Sequence, residues 1–140
     1  MKPITLEWVE KAEEDYRVAR RECSAKPPAY NTACFHAQQC VEKYLKALLQ
    51  EHGITFPRIH DLEALMKLCL SVEPKLKEHT EKFQWLTAFA VEIRYPGINA
   101  DQKDAGQCVQ TARTLRTLLR GKLGIERRKN RGTQNGKGKA

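Results

Sequence analysis

The chain has 140 residues and a formal net charge of +8. A domain of this size buries about two-thirds of its unfolded surface, which is enough for a core without disulfides or metals. The charge is concentrated at one end, because residues 120–140 hold eight Lys or Arg and one acid. That segment accounts for +7 of the +8, so residues 1–119 carry only +1. The overall basicity therefore does not indicate a nucleic-acid-binding body.

Cysteine usage and hydropathy exclude several classes of protein. The five cysteines are an odd number, follow no secretory signal and lie in apolar helical patterns. We therefore expect a cytoplasmic location and no disulfide framework. Cys34, His36 and Cys40 lie close together, but they lack a CxxC pair or a second cluster at zinc spacing. We expect no metal, no cofactor and, without an apolar run of 18 residues, no membrane span.

The predicted elements are helices throughout, because apolar residues recur every three or four positions and no strand-like alternation is present. The first helix runs from about Thr5, its expected N-cap, to Cys23. Two prolines then force a break. The second helix runs from about Tyr30 to His52 and closes at Gly53, a natural residue for a helix end.

The second half of the chain contains three further predicted helices. The third begins near His60, and Pro74 starts the following segment, where proline suits a first helical turn. The fourth ends at Arg94, because Tyr95 precedes a proline and is disfavoured in helical geometry. The fifth closes at Gly124. The prediction is an all-α fold, an up-and-down antiparallel bundle of about five helices.

The bundle is expected to occupy residues 1–124, and residues 125–140 form a polar, glycine-containing and basic tail. This tail has almost nothing to bury, so we expect it to be disordered. It serves either as a solvating extension or as a nonspecific attraction for phosphate that weakens steeply with salt.

Helix two carries polar side chains beside its apolar stripe: His36, Gln39, Glu42 and Lys43. Groups at the edge of a buried surface need hydrogen-bond partners in the protein, in water or in a ligand. These four could line a nucleotide pocket, with the ammonium directed at phosphate, or form an interhelical network that fixes the register of the bundle. We favour the network for Gln39 and Glu42 and leave Lys43 open.

Asp15 and Arg94 lie on two other helices. Asp15 shares the Trp8 face of helix one, where an unpaired buried carboxylate costs several kcal/mol, so we predict an ion pair with Lys43 or Arg94. Arg94 stands at a helix end. It acts there as a cap, as the partner of an acid such as Asp15 or Glu92, or as a phosphate clamp.

Four sequence elements, in this order and at these separations, resemble those of a HEPN domain. They are the Trp8, Ala12, Asp15 and Ala19 face of helix one, the sequence CFHAQQCVEKYLKALL at 34–49, His60-Asp61-Leu62, and Arg94-Tyr95-Pro96. The resemblance covers residue 8 to about residue 119. It implies a bundle of four or five helices that commonly forms a dimer. It also implies a frequent pairing with a small nucleotidyltransferase as toxin and antitoxin.

The resemblance also implies a ribonuclease chemistry, but this sequence lacks a histidine that the chemistry requires. Many HEPN toxins are metal-independent ribonucleases whose Arg-x4-6-His motif lines a cleft at the dimer interface. After Arg94, the positions for that histidine hold Asn99, Ala100 and Asp101. Asn99 can form hydrogen bonds, but it cannot shuttle a proton near neutral pH as an imidazole can. The tyrosine two residues beyond the motif histidine is also absent.

The leading interpretation is therefore a HEPN protein that forms a homodimer and binds nucleotide or RNA. It would work with a nucleotidyltransferase in a toxin–antitoxin-like module, without the standard ribonuclease histidine. The candidate nucleotide- or phosphate-binding residues are Arg94, Lys43, His36 and Gln39, and the structural polar network comprises Asp15 and Glu42.

Two alternatives remain open. The first is a metal-independent ribonuclease in which Arg94 stabilises phosphate charge and His60 or His36 acts as general base, with Asn99 a further catalytic candidate. His60 stands next to Asp61, which either caps helix three or orients the histidine for acid–base work. The second alternative is a non-catalytic structural or interaction subunit whose polar network binds no ligand.

Overall fold

The computed structural model describes residues 1–125, which form five α-helices, one 3₁₀ helix and no strand. The helices are α1 (Pro3–Ser24), α2 (Tyr30–Glu51), α3 (Leu62–Leu68), a 3₁₀ helix (Pro74–His79), α4 (Thr80–Glu92) and α5 (Gln102–Lys122). The prediction of an all-α bundle of about five helices is confirmed. The expected basic tail lies outside the described residues, apart from Ile125, which packs against the core.

Helix α2 is the centre of the bundle. Thirteen of its 22 residues are buried, because it packs along α1 and α5 and also contacts α3 and α4. At one end Thr5 of α1 donates to Glu51, so the consecutive helices α1 and α2 run antiparallel. Near the other end Asn31 contacts Ala100, and further along Tyr44 contacts Arg120, so α2 and α5 run in the same direction.

The first helix begins two residues earlier than its predicted start. Pro3 occupies the first turn, where its fixed φ suits a helix and its missing N–H needs no partner. Thr5 is therefore inside the helix and is not the N-cap that the sequence suggested. Its side chain is fully buried, and Oγ1 donates to Glu51 Oε1 at 2.9 Å. This contact joins the start of α1 to the end of α2.

The segment between α4 and α5 is held at both of its ends. Gly97 has a φ of 89°, which turns the chain just after the predicted break at Pro96. Asp101 then caps α5 by accepting from the Asp104 N–H, and the Asp104 side chain accepts in return from the Asp101 N–H. This reciprocal capping box fixes where α5 starts. It also brings residues 94–100 back against the first turn of α2.

Candidate functional site

A surface cavity of about 310 Å³ lies where α4 ends and α2 begins. Its volume is at the lower end of the range of small-ligand sites. The lining combines one cation, one imidazole and apolar or neutral polar side chains, and it contains no acid: Asn31, Thr32, Phe35, His36, Ala90, Ile93 and Arg94. Of the predicted binding residues, Arg94 and His36 line this cavity. Lys43 and Gln39 do not.

Arg94 is exposed, and its guanidinium stands over an aromatic ring. Its Cζ atom lies 5.4 Å from the centroid of the Phe35 ring on α2. No carboxylate in residues 1–125 forms an ion pair with it, so neither Asp15 nor Glu92 is its partner. The aromatic face directs the guanidinium without using its hydrogen-bond donors. Those donors remain available for a bidentate anion.

Asn31 attaches the segment after Arg94 to α2. Its Oδ1 accepts from the Ala100 N–H at 2.7 Å, and its Nδ2 donates to Asn99 Oδ1 at 3.0 Å. Asn99, one of the positions at which the sequence-based resemblance led us to expect a histidine, is thus engaged in a structural hydrogen bond. Sequence reasoning missed Asn31. Its position in the first turn of a long helix, where a short amide can reach neighbouring backbone, was the available signal.

Asp15 binds two cationic or potentially cationic groups of α2. Its Oδ1 lies 2.7 Å from His36 Nδ1, and its Oδ2 accepts from Lys43 Nζ at 2.6 Å. Of the two partners predicted for Asp15, the structure has Lys43. His36 is an additional partner that the sequence did not suggest. The Asp15 side chain is 9% exposed, so both contacts satisfy a carboxylate that is nearly removed from water.

Glu42 organises a second polar network further along α2. Its carboxylate accepts from Lys46 at 2.8 Å, lies 3.0 Å from His60 Nδ1, and accepts from Gln39 at 3.3 Å. Burial opposes the charged form of Glu42, but the hydrogen bonds from Lys46 and His60 outweigh it and lower the pKa. His60 is 70% exposed on its side chain and does not line the Arg94 cavity. Asp61 caps α3 by accepting from the Ala64 N–H.

A third cluster, between α1 and α5, was absent from the sequence-based predictions. Arg116 donates to both oxygens of Glu13, at 2.6 and 2.7 Å, and the buried Tyr44 hydroxyl donates to the same carboxylate. Arg120 donates to the Tyr44 hydroxyl at 2.9 Å. Burial opposes ionisation of Glu13, yet the hydrogen bonds from Arg116 and Tyr44 lower its pKa. The signal was the spacing of Arg113, Arg116 and Arg120 along one face of α5.

In residues 1–125 the potential metal ligands are not grouped, and four of the five cysteines are buried. No group of three or more His, Cys, Asp or Glu side chains in the described part of the chain is placed to hold a metal ion. Burial raises the pKa of the Cys40 thiol, and it raises that of Cys69 to about 12. These thiols are therefore poor nucleophiles. None of the helices in residues 1–125 combines the length and apolar character that a membrane span requires.

The fold and the cavity define a small all-α domain in which an arginine at the junction of two helices has no ion-pair partner within residues 1–125. The family model described as "HEPN domain" matches residues 5–122, and the chain belongs to the HEPN domain family. The chain is 28% identical to a protein of Methanocaldococcus jannaschii that is provisionally named as a toxin, MJ1304. That alignment covers 85% of this chain and 90% of the relative.

A solved structure is also similar. It is the crystal structure of ST0689, an archaeal HEPN homologue, with a TM-score of 0.66 and 27% sequence identity. The match covers 88% of this chain and 99% of that chain. Since the covered fraction is high on both sides, the similarity extends over the whole bundle and is not limited to one pair of helices.

Proposed function

We propose that this HEPN-family protein is a component of a toxin–antitoxin-like module, and that its Arg94 cavity binds a phosphate group of a nucleotide or of RNA. One observation carries the proposal. The guanidinium of Arg94 is held over Phe35 at a cavity whose lining contains no acid. Guanidinium matches phosphate geometry in a bidentate manner, and it remains charged at every physiological pH.

The start of α2 adds a second attraction for an anion. α2 begins at Tyr30, its N-cap residue Ala29 makes no side-chain cap, and Asn31 and Thr32 of its first turn line the cavity. The unpaired N–H groups and the dipole of a 22-residue helix favour a negative group at this end. A phosphate in the cavity would therefore lie between a helix N-terminus and an arginine.

The proposal also includes two protein partners, a second copy of the chain and a nucleotidyltransferase-family protein. It places the protein in the cytoplasm. Val91, Tyr95 and Ile98 are exposed by 44%, 62% and 43%, and they flank Arg94 in the chain. Large exposed apolar side chains beside a binding cavity are typical of contact surfaces. The provisional naming of the M. jannaschii relative as a toxin supports the toxin–antitoxin setting.

Binding measurements test the phosphate site. Fluorescence anisotropy with labelled single-stranded RNA, and competition by ATP, give the affinities of the wild type and of Arg94→Ala. The loss of charge-assisted hydrogen bonds should weaken binding by about 10- to 100-fold. Arg58→Ala is the matched control, because it removes the same charge from an exposed position between α2 and α3. An unchanged affinity of a folded Arg94→Ala protein would contradict the proposal.

Sedimentation and co-purification test the partners. Tyr95→Asp should shift a homodimer towards monomer, whereas Leu6→Asp, at an exposed apolar residue of α1, should leave it intact. Co-expression with a small nucleotidyltransferase from the same genome should give a complex on size exclusion. A monomeric wild type at high protein concentration would remove the second copy from the proposal.

A ribonuclease is the second candidate function, and one observation favours it. His36, which can accept a proton, lines the same cavity as Arg94. The fold therefore brings an imidazole and a guanidinium to one opening, although the motif histidine is absent. Cleavage of single-stranded RNA in the presence of EDTA tests this candidate. An intact RNA substrate after prolonged incubation would leave binding as the only activity of the site.

A further inference from the structure

Tyr16 of α1 is in contact with arginines from two helices. The Cζ atom of Arg20 lies 5.6 Å from the centroid of its ring, and that of Arg116 lies 4.3 Å from it. A third arginine, Arg113, donates from Nε to the Tyr16 hydroxyl at 3.1 Å. Tyr16 itself is only 6% exposed, so a ligand at this place would meet the arginines and not the ring. One aromatic side chain thus organises cations from both α1 and α5.

A fourth arginine and one acid belong to the same group of contacts. Arg116 donates to both oxygens of Glu13, and Arg120 Nη1 lies 3.6 Å from Glu13 Oε2. We call the whole group the arginine cluster, and it comprises Glu13, Tyr16, Arg20, Arg113, Arg116 and Arg120. Four positive charges stand there against one negative charge, so the cluster has a net charge of +3. Along α5 nothing offsets it, because residues 105–125 contain basic residues and no acid.

The cluster holds more positive charge than its own contacts use. Arg116 alone binds both oxygens of Glu13. Arg20 and Arg113 are exposed and form no ion pair with a carboxylate in residues 1–125. Arg113, Arg116 and Arg120 follow one another at intervals of three and four residues, where like charges destabilise a helix. An anion bound across them would remove this repulsion.

The guanidinium groups also keep donors for such an anion. Arg113 uses Nε for Tyr16 and keeps both Nη groups, and the Arg20 guanidinium donates no hydrogen bond within residues 1–125. Along the helix axis, Arg113 and Arg120 are separated by about 10 Å. A row of this length offers successive contacts to the successive charges of a polyanion. Guanidinium matches the geometry of phosphate in particular.

We propose that the arginine cluster binds the phosphodiester backbone of a nucleic acid strand. None of its residues lines the Arg94 cavity, so this surface is separate from the phosphate site proposed there and does not depend on it. Contact with bases is not part of the proposal, because base stacking needs an open ring face and Tyr16 is covered. Binding should therefore be independent of sequence and steeply dependent on salt.

The surroundings of the cluster favour a nucleic acid over an acidic protein. Protein interfaces have an apolar centre inside a polar rim. The large exposed apolar side chains in residues 1–125 lie at the start of α1 and around Arg94, and none of them is in the cluster. A stripe of arginines along a helix, without such a centre, is the electrostatic pattern of a nucleic-acid-binding surface.

The first test measures the binding of a long, labelled RNA strand as a function of salt concentration. Arg20→Gln/Arg113→Gln removes two exposed charges, and glutamine can still donate to the Tyr16 hydroxyl. Two lost phosphate contacts should weaken binding by about tenfold in about 0.1 M salt and lower the slope of log Kobs against log salt by about 1.4. Arg58→Gln/Lys75→Gln removes two charges from exposed positions outside the cluster and should change neither value appreciably. Equal losses in the two double variants would overturn the proposal.

Glu13→Gln tests the same surface in the opposite direction. It removes the negative charge of the cluster and releases Arg116 and Arg120, so affinity for the RNA strand should rise by about fivefold and the salt slope should steepen. Glu14→Gln, at the exposed neighbouring position, is the matched control and should have a smaller effect. A purely structural role of the cluster would change stability alone. Unchanged or weaker binding by a folded Glu13→Gln protein would contradict the assignment.

Polymers of equal charge test the nature of the ligand. Single-stranded RNA and single-stranded DNA of the same sequence should lose affinity by the same factor in Arg20→Gln/Arg113→Gln, because both present phosphodiesters. The wild-type affinities then show which strand the whole protein prefers. Polyglutamate that binds the wild type more tightly than either strand would overturn the proposal and indicate an acidic protein as the partner.

Failure of this inference and failure of the proposed function give different results. The same RNA strand is titrated against the wild type, Arg94→Ala and Arg20→Gln/Arg113→Gln. A loss in the cluster variant alone supports the arginine cluster and removes the Arg94 site. A loss in Arg94→Ala alone does the reverse. Losses that add in the triple variant would show that the two surfaces bind the strand independently.

Discussion

The guanidinium of Arg94 stands over the ring of Phe35, with 5.4 Å between its carbon and the ring centroid. This contact joins the end of α4 to the second turn of α2, two elements separated by more than fifty residues in sequence. A cation over an aromatic face at an exposed site contributes about 0.5–1 kcal/mol. That energy is small compared with the stability of the fold, but it is enough to favour one orientation of an exposed arginine side chain.

We predict that Phe35→Leu weakens phosphate binding without unfolding the protein. Leucine preserves apolar contact but offers no quadrupole to the guanidinium, so Arg94 samples more orientations before it binds. Affinity for single-stranded RNA should fall by about two- to fivefold, in proportion to the lost interaction. Anisotropy titrations of Phe35→Leu, Arg94→Ala and the double variant measure the coupling. Strictly additive losses would show that the two side chains act independently.

Asn31 should stabilise the fold by attaching residues 94–100 to α2. Asn31→Ala leaves the Ala100 N–H and the Asn99 amide without their partner, so unfolding free energy should fall by about 1–2 kcal/mol. Hydrogen exchange of the Ala100 amide should accelerate, because residues 94–100 lose their attachment to α2. Asn31→Asp is the informative control, since it can still accept from the Ala100 N–H but cannot donate to Asn99. Exchange at Ala100 should therefore remain slow in that variant.

The helical spacing of apolar residues was sufficient to predict most of the fold. The extent of α2 was predicted to within one residue, because its apolar stripe is continuous and Gly53, with a φ of 68°, ends it. The need of Asp15 for a cationic partner also followed from sequence, since a carboxylate on an apolar face must be paired. Which cation it meets depends on the relative axial shift of α1 and α2. The contact of the buried Thr5 with Glu51 helps to set that shift, and sequence spacing does not encode it.

Which side chains line the cavity was harder to predict from the sequence. His36 and Lys43 are two turns apart on α2 and both contact Asp15 of α1, yet only His36 lines the cavity. The difference arises from where α4 ends, which places Arg94 opposite Phe35 and not further along α2. The spacing of Arg113, Arg116 and Arg120 marks one face of α5, but it does not indicate that Arg116 meets Glu13 of α1. That contact follows from the placement of α5 beside α1 and α2.

Glu13 should stabilise the fold through its contacts with α5. Glu13→Gln keeps the shape of the side chain but removes the charge that Arg116 and Arg120 share, so we expect a loss of about 2 kcal/mol in unfolding free energy. Urea denaturation near neutral pH measures it. Glu14→Gln, at the exposed neighbouring position, is the control and should change stability by less than about 0.5 kcal/mol.

The contribution of Glu13 should also depend on pH in one direction. Its pKa in the folded protein is lowered from an ordinary value near 4.5, so the unfolded chain binds more protons at acid pH. The stabilisation is fully present above the unfolded-state pKa and is lost as the pH falls through the folded-state pKa. The difference between the wild type and Glu13→Gln should therefore shrink below about pH 4.5. A difference that grows on acidification would contradict this assignment.

The five free cysteines should differ sharply in reactivity. Cys34, Cys40, Cys69 and Cys108 are fully buried, and burial raises the pKa of the Cys69 thiol to about 12, whereas Cys23 is only partly buried. A thiol reagent such as DTNB reacts with exposed thiolate and releases one thionitrobenzoate per thiol. The native protein should therefore react quickly at one cysteine and at the remaining four only on unfolding. Cys23→Ser should abolish the fast phase. Fast reaction of a second thiol in that variant would show that α2 or α5 opens more readily than its packing implies.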